Sequence, residues 1–136
     1  MSRIRGAFAA QLTGNYNGPG GDERPLPDFY GEYAVKHDKP LAILGTAPLY
    51  NPPVGAPAET EIKKAWWDQV LGAQTHAQFP NLKMVAWYEW DKDEAEVNGQ
   101  IDWTLTSTPA IREAFRAALP DWLQYGTATS CRPAGS

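Results

Sequence analysis

Apolar residues along this chain fall into short runs whose spacing separates helices from strands. Phe29, Tyr30, Tyr33 and Ala34 recur at helical spacing after Pro27-Asp28 and predict a short helix. Asp28 in its first turn and Lys36 and His37 in its last suit the helix dipole. Pro40 ends that element. Leu41-Ala42-Ile43-Leu44 is too short for a buried helix and predicts a strand covered on both faces, the habit of parallel sheets, closed by Gly45-Thr46. Glu59 to Leu71 predicts an amphipathic helix with Ile62, Ala65, Trp66 and Val70 on its buried stripe. Glu61, Lys63, Lys64 and Asp68 are expected to face water. Trp66 is expected in the core and Trp67 against a neighbouring element. Leu82 to Trp90 predicts a second strand centred on Met84-Val85-Ala86-Trp87-Tyr88. Thr108 as N-cap and Pro109 at the first helical position open a last helix buried through Ile111, Phe115, Ala118 and Leu119.

Polar and turn-forming stretches separate these runs. Residues 1–26 read as loop, dense in turn formers from Asn15 to Asp22, and Pro48 to Pro57 reads as a second loop. Asp91 to Thr108 reads as a long polar connection with a turn signal at Asn98-Gly99. Residues 1–126 are expected to form the domain, with 127–136 a disordered tail. Strands alternating with helices indicate βαβ units, hence an α/β fold with a parallel sheet. Only two strands are visible, and a two-stranded parallel sheet leaves two raw edges. The pattern therefore predicts further strands upstream.

Length and charge narrow the function classes. With 136 residues the chain holds one domain, whereas a complete (β/α)8 barrel takes about 250. The formal net charge is -4 and no dense basic cluster exists, which argues against nucleic acid as a partner. No apolar run approaches the roughly 18 residues of a membrane span. Cys131 is the single cysteine and forms no internal disulfide, so it leaves the redox compartment open. The basic N-terminus is followed by no apolar stretch and does not read as a signal peptide, so localisation stays undetermined. Six Trp residues are present; some belong to a core, and since sugar sites also use flat aromatic faces the count adds modestly to a sugar-binding reading.

In parallel β/α folds, sites lie at the C-terminal ends of strands. That rule selects Gly45-Thr46-Ala47 and Tyr88-Glu89-Trp90-Asp91. Glu89, flanked by Trp87, Tyr88 and Trp90, is the catalytic candidate, because retaining glycosidases use two carboxyl groups about 5–5.5 Å apart. The reading placed ahead of it makes Glu89 a hydrogen-bonded strand-end residue. Tyr16 and Tyr50 either stack on sugars or pin their loops. Asp91, Asp93, Glu94 and Glu96 lack the glycine of an EF-hand loop and read as solvated. His37 and His76 are isolated and make no zinc spacing, so no metal is expected. No phosphate loop, serine elbow or Cys-His pair is present, and no cofactor is expected.

The ordered set Pro27-Asp28-Phe29-Tyr30, Lys39-Pro40-Leu41-Ala42-Ile43 and Leu49-Tyr50-Asn51-Pro52 resembles the C-terminal part of glycoside hydrolase family 26 proteins, especially the fungal branch. Ile62-Lys63-Lys64-Ala65-Trp66-Trp67, Phe79-Pro80-Asn81-Leu82-Lys83-Met84, Trp87-Tyr88-Glu89-Trp90 and Ile101-Asp102-Trp103-Thr104 continue the likeness, over roughly residues 10–125. The resemblance implies the end of a (β/α)8 barrel, with Leu41–Leu44 as its seventh strand and Leu82–Trp90 as its eighth. It implies O-glycosyl hydrolase relatives of endo-β-mannanase type, typically secreted, that act on β-1,4-mannan polysaccharides by a retaining two-carboxylate mechanism. It places the acid/base Glu on a fourth strand outside these residues, and the nucleophile Glu where this sequence has Gly45. Glycine supplies no carboxylate, so this chain by itself is expected to be inactive unless Glu89 takes over. The alternatives are a non-catalytic sugar binder using Tyr16, Tyr50, Trp87 and Trp90, or a half-barrel that self-associates through its open edges.

Overall fold

The two apolar runs read as strands do pair, side by side and in parallel. In the computed structural model, which describes residues 6–16, 26–51 and 58–124, β1 (Leu41–Thr46) lies against β2 (Leu82–Trp87). Leu41 faces Leu82, Ile43 faces Val85 and Thr46 faces Trp87, with irregularities between. Asn17 to Asp22, the proline-rich stretch 52–57 and the tail with Cys131 lie outside the described residues. Two helices join the strands: α2 (Glu59–Val70) and α3 (Ala73–Gln78). A parallel pair needs such a crossover, and the class is mixed α/β with small sheets. Among the described residues no barrel closes.

Four expectations need correction. The first concerns residues 1–26, where Ala7–Leu12 forms a helix, α1. Phe8 and Leu12, four apart, bury their side chains. Six residues are too few for a period to stand out among flanking glycines. Gly14, just after α1, has φ +71°, and a Cβ there would sit 2.6 Å from the Leu26 carbonyl oxygen, so glycine is required.

The second concerns the polar connection after β2, which is a hairpin: β3 (Asp91–Glu94) pairs antiparallel with β4 (Gly99–Asp102). Asn98 takes the left-handed conformation at φ 49°, which Asn tolerates best after Gly, so the turn signal was sound. Asp and Glu are poor strand formers, and their run on β3 masked the pairing.

The third is the length of β2. It ends at Trp87, and after the Tyr88 amide bonds the Thr46 carbonyl (3.0 Å) the chain leaves the sheet.

The fourth concerns which sides of α2 and α4 (Pro109–Ala118) are buried. Lys63, expected in water, is fully buried, as are Trp67 and Val70. Trp66 is half-buried, edge-on to Phe8 at 6.1 Å. The helix is covered on two sides, by α1 and by α4 with the segment after the hairpin, so one apolar stripe underdescribes it. On α4, Ile111 is buried and Phe115 half-buried, while Ala118 is exposed. Pro109 does occupy the first turn, but Thr108 makes no side-chain cap.

The predicted helix after Asp28 forms as a π-helical turn, Tyr30–Val35, with Asp28 Oδ1 accepting from the Gly31 amide at 2.9 Å. Tyr30 and Ala34 are buried, whereas Phe29 and Tyr33 are exposed and pack on each other at 4.6 Å. Asn81 at the start of β2 straps this turn: its side-chain amide donates to the Ala34 and Lys39 carbonyls (3.1 and 3.2 Å). The core has two parts. Phe8, Leu12, Tyr30, Ala34, Leu41, Val70 and Phe79 form the larger. Trp67, Leu105 and Ile111 form the smaller, with Trp87, Ala114 and Phe115 against it.

Candidate functional site

The C-terminal ends of β1 and β2 carry the residues that the strand-end rule selects. Gly45 is exposed, and a Cβ there would meet only the Tyr88 ring, at 3.9 Å. Neither space nor backbone conformation demands glycine at this position.

Glu89 follows β2 and its carboxylate is occupied. The Leu105 amide donates to both oxygens (3.1 and 2.9 Å), and the Thr106 amide (2.8 Å) and hydroxyl donate to Oε1. The side chain thus fastens the chain beyond β4 to the end of β2. Both oxygens serve that tie, as in the strand-end reading.

Around Glu89 lies a cluster of aromatic rings. Tyr88 and Trp90 have nearly parallel planes (15°) with centroids 6.2 Å apart, and Tyr88 meets the Trp103 ring edge-on at 5.3 Å. Trp90 is 53% exposed and Tyr88 38%. The Lys92 ammonium lies 5.8 Å from the Trp90 centroid and 5.9 Å from that of Trp103, a cation–π arrangement bracing the rings. Lys92 also pairs with Glu94 at 2.8 Å. That hydrogen bond raises the Lys92 pKa and lowers that of Glu94.

Trp103 is fixed through its backbone. Its amide donates to the Trp90 carbonyl (2.9 Å), and its carbonyl accepts from Trp87 Nε1 (2.7 Å). Beneath it sits Lys63, whose ammonium reaches Glu59 (2.5 Å), Asp102 (3.2 Å) and the Thr104 carbonyl. Asp102 Oδ1 in turn accepts from the Thr104 amide and hydroxyl, both at 2.7 Å. Burial pushes the Asp102 carboxyl up, but the Thr104 hydrogen bonds and Lys63 outweigh it and hold the pKa below its ordinary value.

Of the expected stacking residues, Trp90 is presented to solvent as anticipated. Trp87 is half-buried and turns inward to the Phe115 ring at 5.9 Å. Tyr50 is half-buried, its ring 5.9 Å from the Lys63 ammonium and its carbonyl accepting from the Asp102 amide (3.0 Å). Tyr16 is half-buried in the stretch after α1, away from the ring cluster in sequence and without a side-chain contact to it. Sequence reasoning passed over Trp103, Lys92 and Lys63. Asn98-Gly99 was the available signal, since a hairpin closed there brings residues 91–94 back beside 99–102. Among the described residues no group of three His, Cys, Asp or Glu side chains could hold a metal, and no helix is long and apolar enough to cross a membrane.

No protein-family model, curated protein sequence or solved structure matches this chain.

Proposed function

We propose that these residues form terminal β/α units of a glycoside hydrolase family 26-like barrel and bind β-mannan-type oligosaccharide without hydrolysing it. The observation that carries the reading is the exposed pair Tyr88 and Trp90, backed by Trp103 and Lys92 at the C-terminal end of a parallel β1–β2 pair. Rings held by neighbours lose little side-chain entropy on binding and offer flat apolar faces to the C–H faces of a sugar. Lys92, which lies against the Trp90 and Trp103 rings, also puts a polar group beside them for sugar hydroxyls.

Hydrolysis has no support in the same geometry. Gly45 brings no carboxylate to the end of β1, and the Glu89 carboxylate accepts from Leu105 and Thr106, which favours its reading as a structural tie. Calorimetric titration with mannohexaose tests the reading. Wild type binds, Trp90→Ala weakens binding about tenfold or more (about 1.4 kcal/mol), and no reducing ends appear. Absence of binding by a folded wild-type chain overturns the sugar reading. Hydrolysis abolished by Glu89→Gln would instead make Glu89 catalytic.

A second reading, self-association, is favoured by one observation. Among the described residues β2 pairs with β1 alone, and beside it a trough of about 540 Å³ is lined by Val70, Phe79, Met84, Trp87, Phe115 and Trp122. Light scattering separates the two: a monomer at all concentrations removes the second.

A further inference from the structure

We propose that Lys63 is a positioning residue for the aromatic surface, acting from beneath through the two residues that flank Trp103. The inference rests on the sugar-binding reading for its ligand but on the fold alone for its geometry. An amphipathic helix normally turns lysine outward, and a fully buried ammonium is rare unless paired. Lys63 is fully buried and saturated: Glu59 of its own helix, Asp102 of β4 and the Thr104 carbonyl take its three protons. Two of those three partners are the neighbours of Trp103.

The consequences can be followed outward residue by residue. Asp102, held by Lys63, folds the next turn by accepting from the Thr104 amide and hydroxyl. That turn delivers the Leu105 and Thr106 amides to Glu89, which follows Tyr88 and precedes Trp90. Trp103, between the clamped residues, backs Tyr88 with its ring and grips Trp90 through its amide. The hairpin contributes one fully buried side chain, Ile101, so apolar packing alone gives it little anchorage. The lysine supplies a directional tie from α2 to β4 that fixes the plane in which Tyr88, Trp90 and Trp103 meet.

The test compares wild type with the variant Glu59→Gln/Lys63→Met/Asp102→Asn, which removes the ammonium and both carboxylates together and so leaves no buried charge unpaired. Far-ultraviolet circular dichroism and thermal melting establish folding. NOEs between the Tyr88 and Trp103 rings report the surface, and NOEs between Phe8 and Trp66 serve as an internal control. The expected result is a folded variant that keeps the Phe8–Trp66 NOEs, loses those of Tyr88–Trp103 and binds mannohexaose at least tenfold more weakly. Retained Tyr88–Trp103 NOEs with affinity within twofold of wild type overturn the proposal. Should the triple variant not fold, Lys63→Met/Asp102→Asn, which keeps the partly exposed Glu59, is read by the same criteria. If wild type binds no mannohexaose, the sugar reading fails, and the NOEs still decide the role of Lys63.

Discussion

The two sides of α2 are held by different physics. On one side Phe8, Leu12, Tyr30, Ala34, Leu41, Val70 and Phe79 pack as a hydrocarbon core. On the other, three buried apolar residues are supplemented by a buried ammonium, two carboxylates and a carboxylate-bound loop. Burial of apolar surface is non-directional and tolerates small shifts. Hydrogen bonds to charged groups fix angles as well as distances. The candidate site lies on the polar side, where orientation of rings matters, and the apolar side carries the sheet.

The comparison can be broken most severely at its two centres. Phe79→Ala should cost about 3–5 kcal/mol in urea unfolding, with the same cost at neutral and acid pH because no charge is involved. Lys63→Met alone should cost about 3–5 kcal/mol, since it strands the mostly buried carboxylates of Glu59 and Asp102 without their counter-ion. Its cost should shrink at acid pH as those carboxyls protonate. Equal pH dependence for the two variants would erase the distinction between the sides. Glu89→Gln should cost less, about 1 kcal/mol, because its ties are partly exposed. Near-ultraviolet circular dichroism should show the loss on the polar side only.

Acid gives a smaller, graded effect. The folded pKa of Asp102 is depressed, so its stabilisation is complete above the unfolded value of about 3.9 and is lost as pH falls through the folded one. Tryptophan fluorescence should therefore change below about pH 4 before far-ultraviolet signal is lost. The smallest effect belongs to the exposed pair Lys36–Glu32, where Glu32→Gln should leave the melting transition where it is.

The same division explains what could be read from sequence. Leu41–Leu44, the Ile62–Val70 helix and Met84–Trp87 were legible as elements from their apolar spacing, but their burial was not: Leu44 and Met84 are exposed, so β1 is not covered on both faces as expected. Lys63 was not legible either, because its partners Asp102 and Thr104 lie about forty positions away, and local pattern assigns lysine to water. The hairpin was hidden for a related reason: Asp91, Asp93 and Glu94 argue against a strand until β4 stands beside them. The place of Trp90 beyond a strand end, where its ring is exposed, was legible. Trp103 was not, since only the hairpin brings it to Tyr88. The expected resemblance rests on short motifs, and Glu89→Gln is the variant that tests what it implies for catalysis.

The acidic strand β3 has one more consequence, for colloidal behaviour. A sheet edge studded with Asp91, Asp93 and Glu94 repels another copy of itself, which is how natural hairpins resist fibril growth. β2 is guarded more thinly, by Lys83 alone: Met84 next to it is exposed and the trough beside the strand is mostly apolar. Clumping of this protein in concentrated solution should therefore begin at β2. A single charge at that strand, Met84→Lys, should raise its solubility limit more than any change to the hairpin.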